Sequence, residues 1–217
     1  MTGTGTPGRL TAATLRDAVR HLCARDTSLS QLVAQYGEPP LWERAEGFVT
    51  LVRMILEQQV SLESAATLFT RLDASVSGGM QSEPIRAVGV DGLRALGVTR
   101  QKAAYLVALA EQVTDGRLDL RLISTLPDDD VLLALQRVPG IGPWTAQVYL
   151  LFSLGRPDAW PPGDLALHKA LQHTHALERL PSSREASQMA MAWSPWRAVA
   201  ARILWHVYLT QRGRAMS

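Results

Sequence analysis

The turn Pro139-Gly140-Ile141-Gly142 constrains this chain more than any other stretch. Two glycines flanking one apolar residue let the backbone take left-handed or crowded conformations, and leave no side chain to keep a ligand from the amides. Pro143 follows at once and suits the first position of a helix, because it has no amide hydrogen to waste there. The unsatisfied N–H groups and the dipole of that helix point out of the turn and form a site for an anion, most naturally a phosphate. The same four residues can also serve as an ordinary link between packed helices, so their meaning depends on their surroundings.

The surroundings include a carboxylate. A helix over Pro143–Leu154 rises about 1.5 Å per residue, and the proline-rich return from Gly155 to Gly163 then brings the chain back to Asp164 in the sequence PPGDL. Aspartate at such a position is usually only a helix cap. A helix start also favours an ionised carboxylate, and a carboxylate beside a phosphate-binding turn repels phosphate. Its chemistry suits a developing positive charge instead.

Helix signals repeat along the rest of the chain and strand signals do not. Thr11 caps a predicted helix to about Arg25, Thr27–Tyr36 forms a second, and Trp42–Gln59 reads as one long helix. Ser61 caps the next. Residues 74–82 form a loop that marks a candidate lobe boundary. Short helices follow at Pro84–Val88 and Val90–Leu96, then one from Thr99 to about Val113. Asp128-Asp129-Asp130 sit at a helix N-terminus, where acids are favoured, and that helix leads into the central turn. Ser182 with Glu185 reads as a capping box for a helix to about Ala192, and the last helix runs from Trp196 to about Arg212. The expectation is an all-α protein of ten or more helices, with residues 1–9 as a flexible tail.

Composition excludes several classes. No apolar run approaches the roughly 18 residues that span a bilayer, and MTGTGTPGRL has no apolar signal core, so a cytoplasmic address is expected. Cys23 is the single cysteine, which excludes an intramolecular disulfide and a four-cysteine iron–sulfur cluster. His173 and His175 are two apart, so a helix points them to different sides; with His168 they read as surface or loop residues rather than metal ligands. The net charge of +2 permits nucleic-acid binding without arguing for it. Lys102 and Lys169 are the only lysines, so few residues can act as an amine nucleophile.

Three further features carry both a plain and a functional reading. Trp193 and Trp196 read as core, whereas Trp144 follows the turn directly and could stack on an extruded base. Gln58 and Gln59 end a long apolar helix, either as a solvated terminus or as side chains that enter a duplex and fill the gap of a displaced nucleotide.

Together these residues resemble the helix-hairpin-helix superfamily of DNA glycosylases, and within it the 3-methyladenine DNA glycosylase II group. The blocks that carry the likeness are RMILEQQVSLESAATL (53–68), LRALGVTRQKAAYLVALA (93–110), LQRVPGIGPWTAQVYLLFSL with PPGDLALHKAL (135–171), and WSPWRAVAARILWHVYL (193–209). The resemblance implies a two-lobed helical fold over residues 10–217, with the hairpin at about 131–154 and the active site between the lobes; as a departure, the N-terminal β domain of the best-known bacterial member is not expected in a chain this short. It implies that Asp164 is the catalytic aspartate and that Pro139, Gly140, Ile141 and Gly142, with Thr145, hold a DNA phosphate. Gln59, with Gln58 beside it, becomes the wedge. Trp144 and Trp205 become aromatic walls of a base pocket, joined by Val148 and Leu165, which are aliphatic where the best-known bacterial member has tyrosines.

The resemblance further implies a monofunctional hydrolase. Bifunctional relatives carry a Schiff-base lysine where this chain has Trp144. No cofactor is implied beyond a monovalent cation at the hairpin carbonyls, and the implied partner is double-stranded DNA bearing alkylated bases, met at the nucleoid; a monomer is the default expectation. Two rivals stay open at this level: a monofunctional glycosylase for deaminated or oxidised bases, and a non-catalytic hairpin module that only binds DNA.

Overall fold

The computed structural model describes residues 8–213, and among these the chain forms eleven α-helices and two short 3-10 turns with no strand. Most of the expected tail, residues 1–7, lies outside the described residues. From there Leu10 is buried, with its amide donated to the Gly155 carbonyl at 2.8 Å.

The chain divides into two compact units, one of residues 1–43 with 147–217 and the other of residues 44–146. The loop of residues 74–82, expected as a lobe boundary, therefore lies inside the second unit and is not a boundary. The divisions fall before Arg44 and after Ala146.

The first unit holds α1 (Ala12–Arg25), α2 (Thr27–Tyr36), the later part of α8 (Pro143–Phe152), α9 (Leu165–Thr174), α10 (Ser183–Ala190) and α11 (Arg197–Thr210). Local capping explains where most of these begin. Thr11 and Thr14 form a reciprocal box at α1, and Asp26 accepts from the Leu29 amide at α2. Ser182 and Glu185 form the predicted box at α10. α11 is apolar almost all round, with Ala198 to Trp205 all buried, as befits a helix enclosed by others. It packs on α9, α2 and α1. Each fully buried leucine or isoleucine there contributes about 1.5–3 kcal/mol.

The second unit holds α3 (Phe48–Glu57), α4 (Leu62–Ser75), α5 (Ser82–Ala95), α6 (Arg100–Thr114), α7 (Asp128–Gln136) and the start of α8. α3 packs on α4 and α6, and α6 packs on α5. Ser61 and Thr99 cap α4 and α6 as expected. α5 is the predicted pair of short helices, continuous except for non-helical backbone at Gly89.

One helix departs from expectation. Residues 42–47 are not helical, and α3 begins only at Phe48. Gly47 sits at φ +108, which stops a helix from running through it. Upstream of it the Ala45 carbonyl accepts from the Thr50 hydroxyl at 2.6 Å. The other end stops early as well, at Glu57. Gln58 is extended and Gln59 has φ +57, a left-handed conformation uncommon for a non-glycine residue. Among the described residues no helix is long and apolar enough to cross a membrane.

Candidate active site

The expected site residues fall into both units. Asp164, Val148, Leu165 and Trp205 belong to the first, and Gln58, Gln59, the hairpin, Trp144 and Thr145 belong to the second.

In the first unit Asp164 is the N-cap of α9, at φ −69 and ψ 114. Its Oδ1 accepts from the Leu167 amide at 2.9 Å, which satisfies one of the open donors of the first turn. The same oxygen accepts from the Trp205 indole Nε1 at 3.2 Å. Hydrogen bonds to a carboxylate are stronger than neutral ones and fix its orientation. Trp205 can aim that N–H because its ring is held: it is buried and stacks on Phe152, with centroids 5.4 Å apart and planes 24° from parallel.

Behind this pair lies Arg202, fully buried one turn before His206 on α11. Its guanidinium donates to the carbonyls of Leu151 at 2.9 Å, Trp42 at 3.2 Å and Ala198 at 3.4 Å. Burial pushes its pKa down to about 10, against the opposing pull of Glu43. Arg202 thereby ties the end of α8, which carries Phe152, to α11, which carries Trp205. Of the remaining candidates, Val148 is buried and Leu165, directly after Asp164, is 54% exposed. His168 was expected at the surface and is instead buried on α9, one turn past Asp164. Spacing alone could not show that this face of α9 turns inward. Trp193 is core as expected, its indole donating to Asp26 at 2.8 Å.

In the second unit the turn is built around two opposed demands. Ile141 is buried and its amide donates to the Val138 carbonyl at 3.0 Å, which seats the turn in the core. Pro139 and Gly142 remain exposed. Gly140 has φ +89, and a Cβ there would collide with the Tyr105 ring, so only glycine fits on both counts. Its carbonyl accepts from the Gln58 side-chain amide at 2.8 Å. α8 then starts with exposed Pro143, Trp144 at 39% exposure, and buried Thr145. Its first-turn amides form the end of the helix that favours anions.

Beside the hairpin is a recess of about 660 Å³ lined by Gln58 to Val60, residues of α6 and the turn itself. Nothing in the sequence marks Lys102 or Tyr105 of α6 for a role, although both lie in the block 93–110. The Lys102 ammonium donates to the Leu56 carbonyl at 2.6 Å, and burial lowers its pKa. Tyr105 presents its ring to Gly140, and its hydroxyl accepts from Gln101 at 2.8 Å.

Among the described residues no group of three or more His, Cys, Asp or Glu is gathered for a metal ion. The hairpin carbonyls of Val138 and Gly140 each accept one hydrogen bond. Each keeps a second lone pair, so a monovalent cation held by backbone oxygen is compatible with them.

Several known proteins are similar to this chain over most of its length. DNA-3-methyladenine glycosylase 1 of Schizosaccharomyces pombe is 28% identical over 197 residues, 88% of this chain and 86% of that one. A solved S. pombe 3-methyladenine DNA glycosylase in complex with abasic DNA superposes with a TM-score of 0.77, at 27% identity, covering 90% of this chain and 97% of the other. The DNA-3-methyladenine glycosidase of Bacillus halodurans superposes with a TM-score of 0.80, at 30% identity, covering 90% and 91%. A Bacillus subtilis relative is 29% identical over 186 residues, and the chain spans 65% of its length. The family model for the HhH-GPD superfamily base excision DNA repair proteins matches residues 52–196, a stretch that takes in Gln58, the hairpin and Asp164. With that match over two units built as described, this chain belongs to the HhH-GPD superfamily of base excision DNA repair proteins.

Proposed function

We propose that this chain is a monofunctional DNA glycosylase that extrudes alkylated bases of the 3-methyladenine type from double-stranded DNA and hydrolyses their N-glycosidic bond. The observation that carries the reading is the Asp164 carboxylate, fixed at the start of α9 by Trp205 and Leu167. A module that only gripped the phosphate backbone has no use for an anion held in this way.

Methylation at a purine ring nitrogen leaves the base positively charged and its glycosidic bond weak. When the bond to C1′ breaks, the electron pair goes to the base and neutralises it, and positive charge develops on the sugar. The Asp164 carboxylate stabilises that charge and orients the water that adds to C1′, whose proton it can accept. The departing base needs no strong acid, because it leaves neutral. Trp144, the exposed aromatic of the α8 start, supplies a face that attracts an electron-poor base. Extrusion costs a few kcal/mol, less at a damaged pair, and is offset by phosphate contacts at the hairpin and by Gln59 filling the gap.

The monofunctional assignment rests on Trp144, since an indole cannot form a Schiff base with the opened sugar. The chain works in this reading as a cytoplasmic monomer without a resident cofactor, and no step passes through a hairpin cation. The test is base release from duplexes carrying one 7-methylguanine or 3-methyladenine, beside duplexes carrying uracil or 8-oxoguanine. The expected result is release of the cationic bases only, with the abasic strand left uncut and no borohydride-trapped adduct. Release of the neutral lesions, or a trapped adduct, contradicts it.

A further inference from the structure

The wedge pair Gln58-Gln59 does not behave as a pair. Gln59 is exposed and held in the left-handed region at φ +57. Gln58 is half-buried, and its amide is spent on the Gly140 carbonyl at 2.8 Å. A side chain already bound to the hairpin is poorly placed to enter a duplex.

We propose that Gln58 is a positioning residue that locks the phosphate-binding hairpin to the loop presenting Gln59, so that backbone grip and base extrusion act in one fixed register; this rests on the function proposed above. Three contacts make the lock. Gln58 holds the oxygen of residue 140, and the Tyr105 ring closes on its α-carbon. Lys102 holds the Leu56 carbonyl at 2.6 Å, two residues before Gln58 and at the end of α3, where carbonyls have no helical partner. The chain is thus pinned twice just before the point where Gln59 takes up its unfavourable backbone conformation. Without the Gln58 bond, the peptide between Gly140 and Ile141 is held only by the Ile141 amide on the Val138 carbonyl, and glycine sets little barrier of its own to its rotation. The hairpin amides and the Gln59 backbone then lose their common reference.

The chemistry of the bond supplies a test. Gln58→Met keeps size and removes the donor. Gln58→Glu places a carboxylate against a carbonyl at neutral pH, but a protonated carboxyl can donate to it, and such an environment raises the pH at which the proton is held. Lys102 and Tyr105 are the other titratable groups lining the recess, so the wild type and the Met variant are measured at both pH values to remove their contribution.

Single-turnover release of an alkylated base from duplex DNA, and affinity for an unmodified duplex by anisotropy, are measured at about pH 5 and about pH 7.5. The Met variant is expected to lose about tenfold in both readouts at either pH. The Glu variant is expected to match that loss at the higher pH and to recover above the Met variant at the lower, with melting temperatures alike. A Met variant equal to wild type overturns the proposal, because the Glu effect is then only charge repulsion from DNA. A Glu variant no better than Met at low pH overturns it too. If wild type releases no alkylated base yet the affinity pattern holds, the lock stands and the substrate assignment falls. If wild type does not bind duplex DNA, both fall.

Discussion

Asp164 and the hairpin are built on opposite plans. In the proposed function the working group at Asp164 is a side chain, and its surroundings hold it: the Leu167 amide, the Trp205 indole, and Phe152 behind that indole. At the hairpin the proposed working group is the backbone, and side chains hold it: Gln58 on the Gly140 oxygen, Tyr105 against its α-carbon, Ile141 in the core. A carboxylate must be supported by donors in a partly closed setting if it is to meet positive charge. A phosphate site must be bare, open and rich in amides. The first demand produces buried aromatics around one acid, and the second produces glycines.

If the two plans are separable, each can be damaged without the other. The largest expected effect is on the frame behind Asp164. Arg202→Ala leaves the Leu151 and Trp42 carbonyls without their donor and opens a cavity in the first unit, at a cost of about 3–5 kcal/mol. Chemical denaturation with local probes in each unit measures it, and equal loss in both units breaks the comparison.

Next comes Gly140→Ala. Its positive φ costs of order 1–3 kcal/mol for a residue with a side chain, and its Cβ collides with the Tyr105 ring. Duplex affinity should fall markedly while the environment of Trp205, read by its fluorescence, stays as in wild type. Trp205→Phe does the reverse. It keeps an aromatic on Phe152 and removes the donor to Asp164, so excision should fall by about 10–100-fold, the value of one hydrogen bond to a charged group, with DNA affinity unchanged.

The smallest effect lies away from both. Arg179 and the Ser182 cap hold the Glu185 carboxyl at about 2, well below the usual carboxylate range. A carboxyl depressed on folding adds stability that is present above its unfolded value of 4.5 and lost as pH falls towards 2. Helix α10 should therefore loosen over that window, as amide exchange can follow, and Glu185→Gln should remove the pH dependence.

How much of this was legible in the sequence follows from distance along the chain. Caps act over three residues, so Thr11, Ser61, Thr99, Asp164 and Ser182 could be read directly, and each begins a helix. The hairpin was equally legible because glycine spacing records the backbone it needs. The segment 42–47 was not: WERAE has helix-forming residues, but Gly47 at φ +108 and the contacts of Trp42 and Glu43 decide otherwise. Nor were the supports. Gln58 meets Gly140 across 82 residues, and Trp205 meets Asp164 across 41. Nothing in either local sequence announces such a partner, so the sequence suggested Gln58 as a blade and Trp205 as a pocket wall without showing what each one holds.

The most direct test of the account is Asp164→Asn, measured for both excision and duplex binding on an alkylated substrate. Asparagine caps helices as well as aspartate does, so α9 and the fold should persist. The account predicts that excision falls by at least about 10²–10³-fold, as when a preorganised charge is removed from a reacting site, while duplex affinity stays near that of wild type. Excision at the wild-type rate, or a loss of binding as large as the loss of excision, contradicts it.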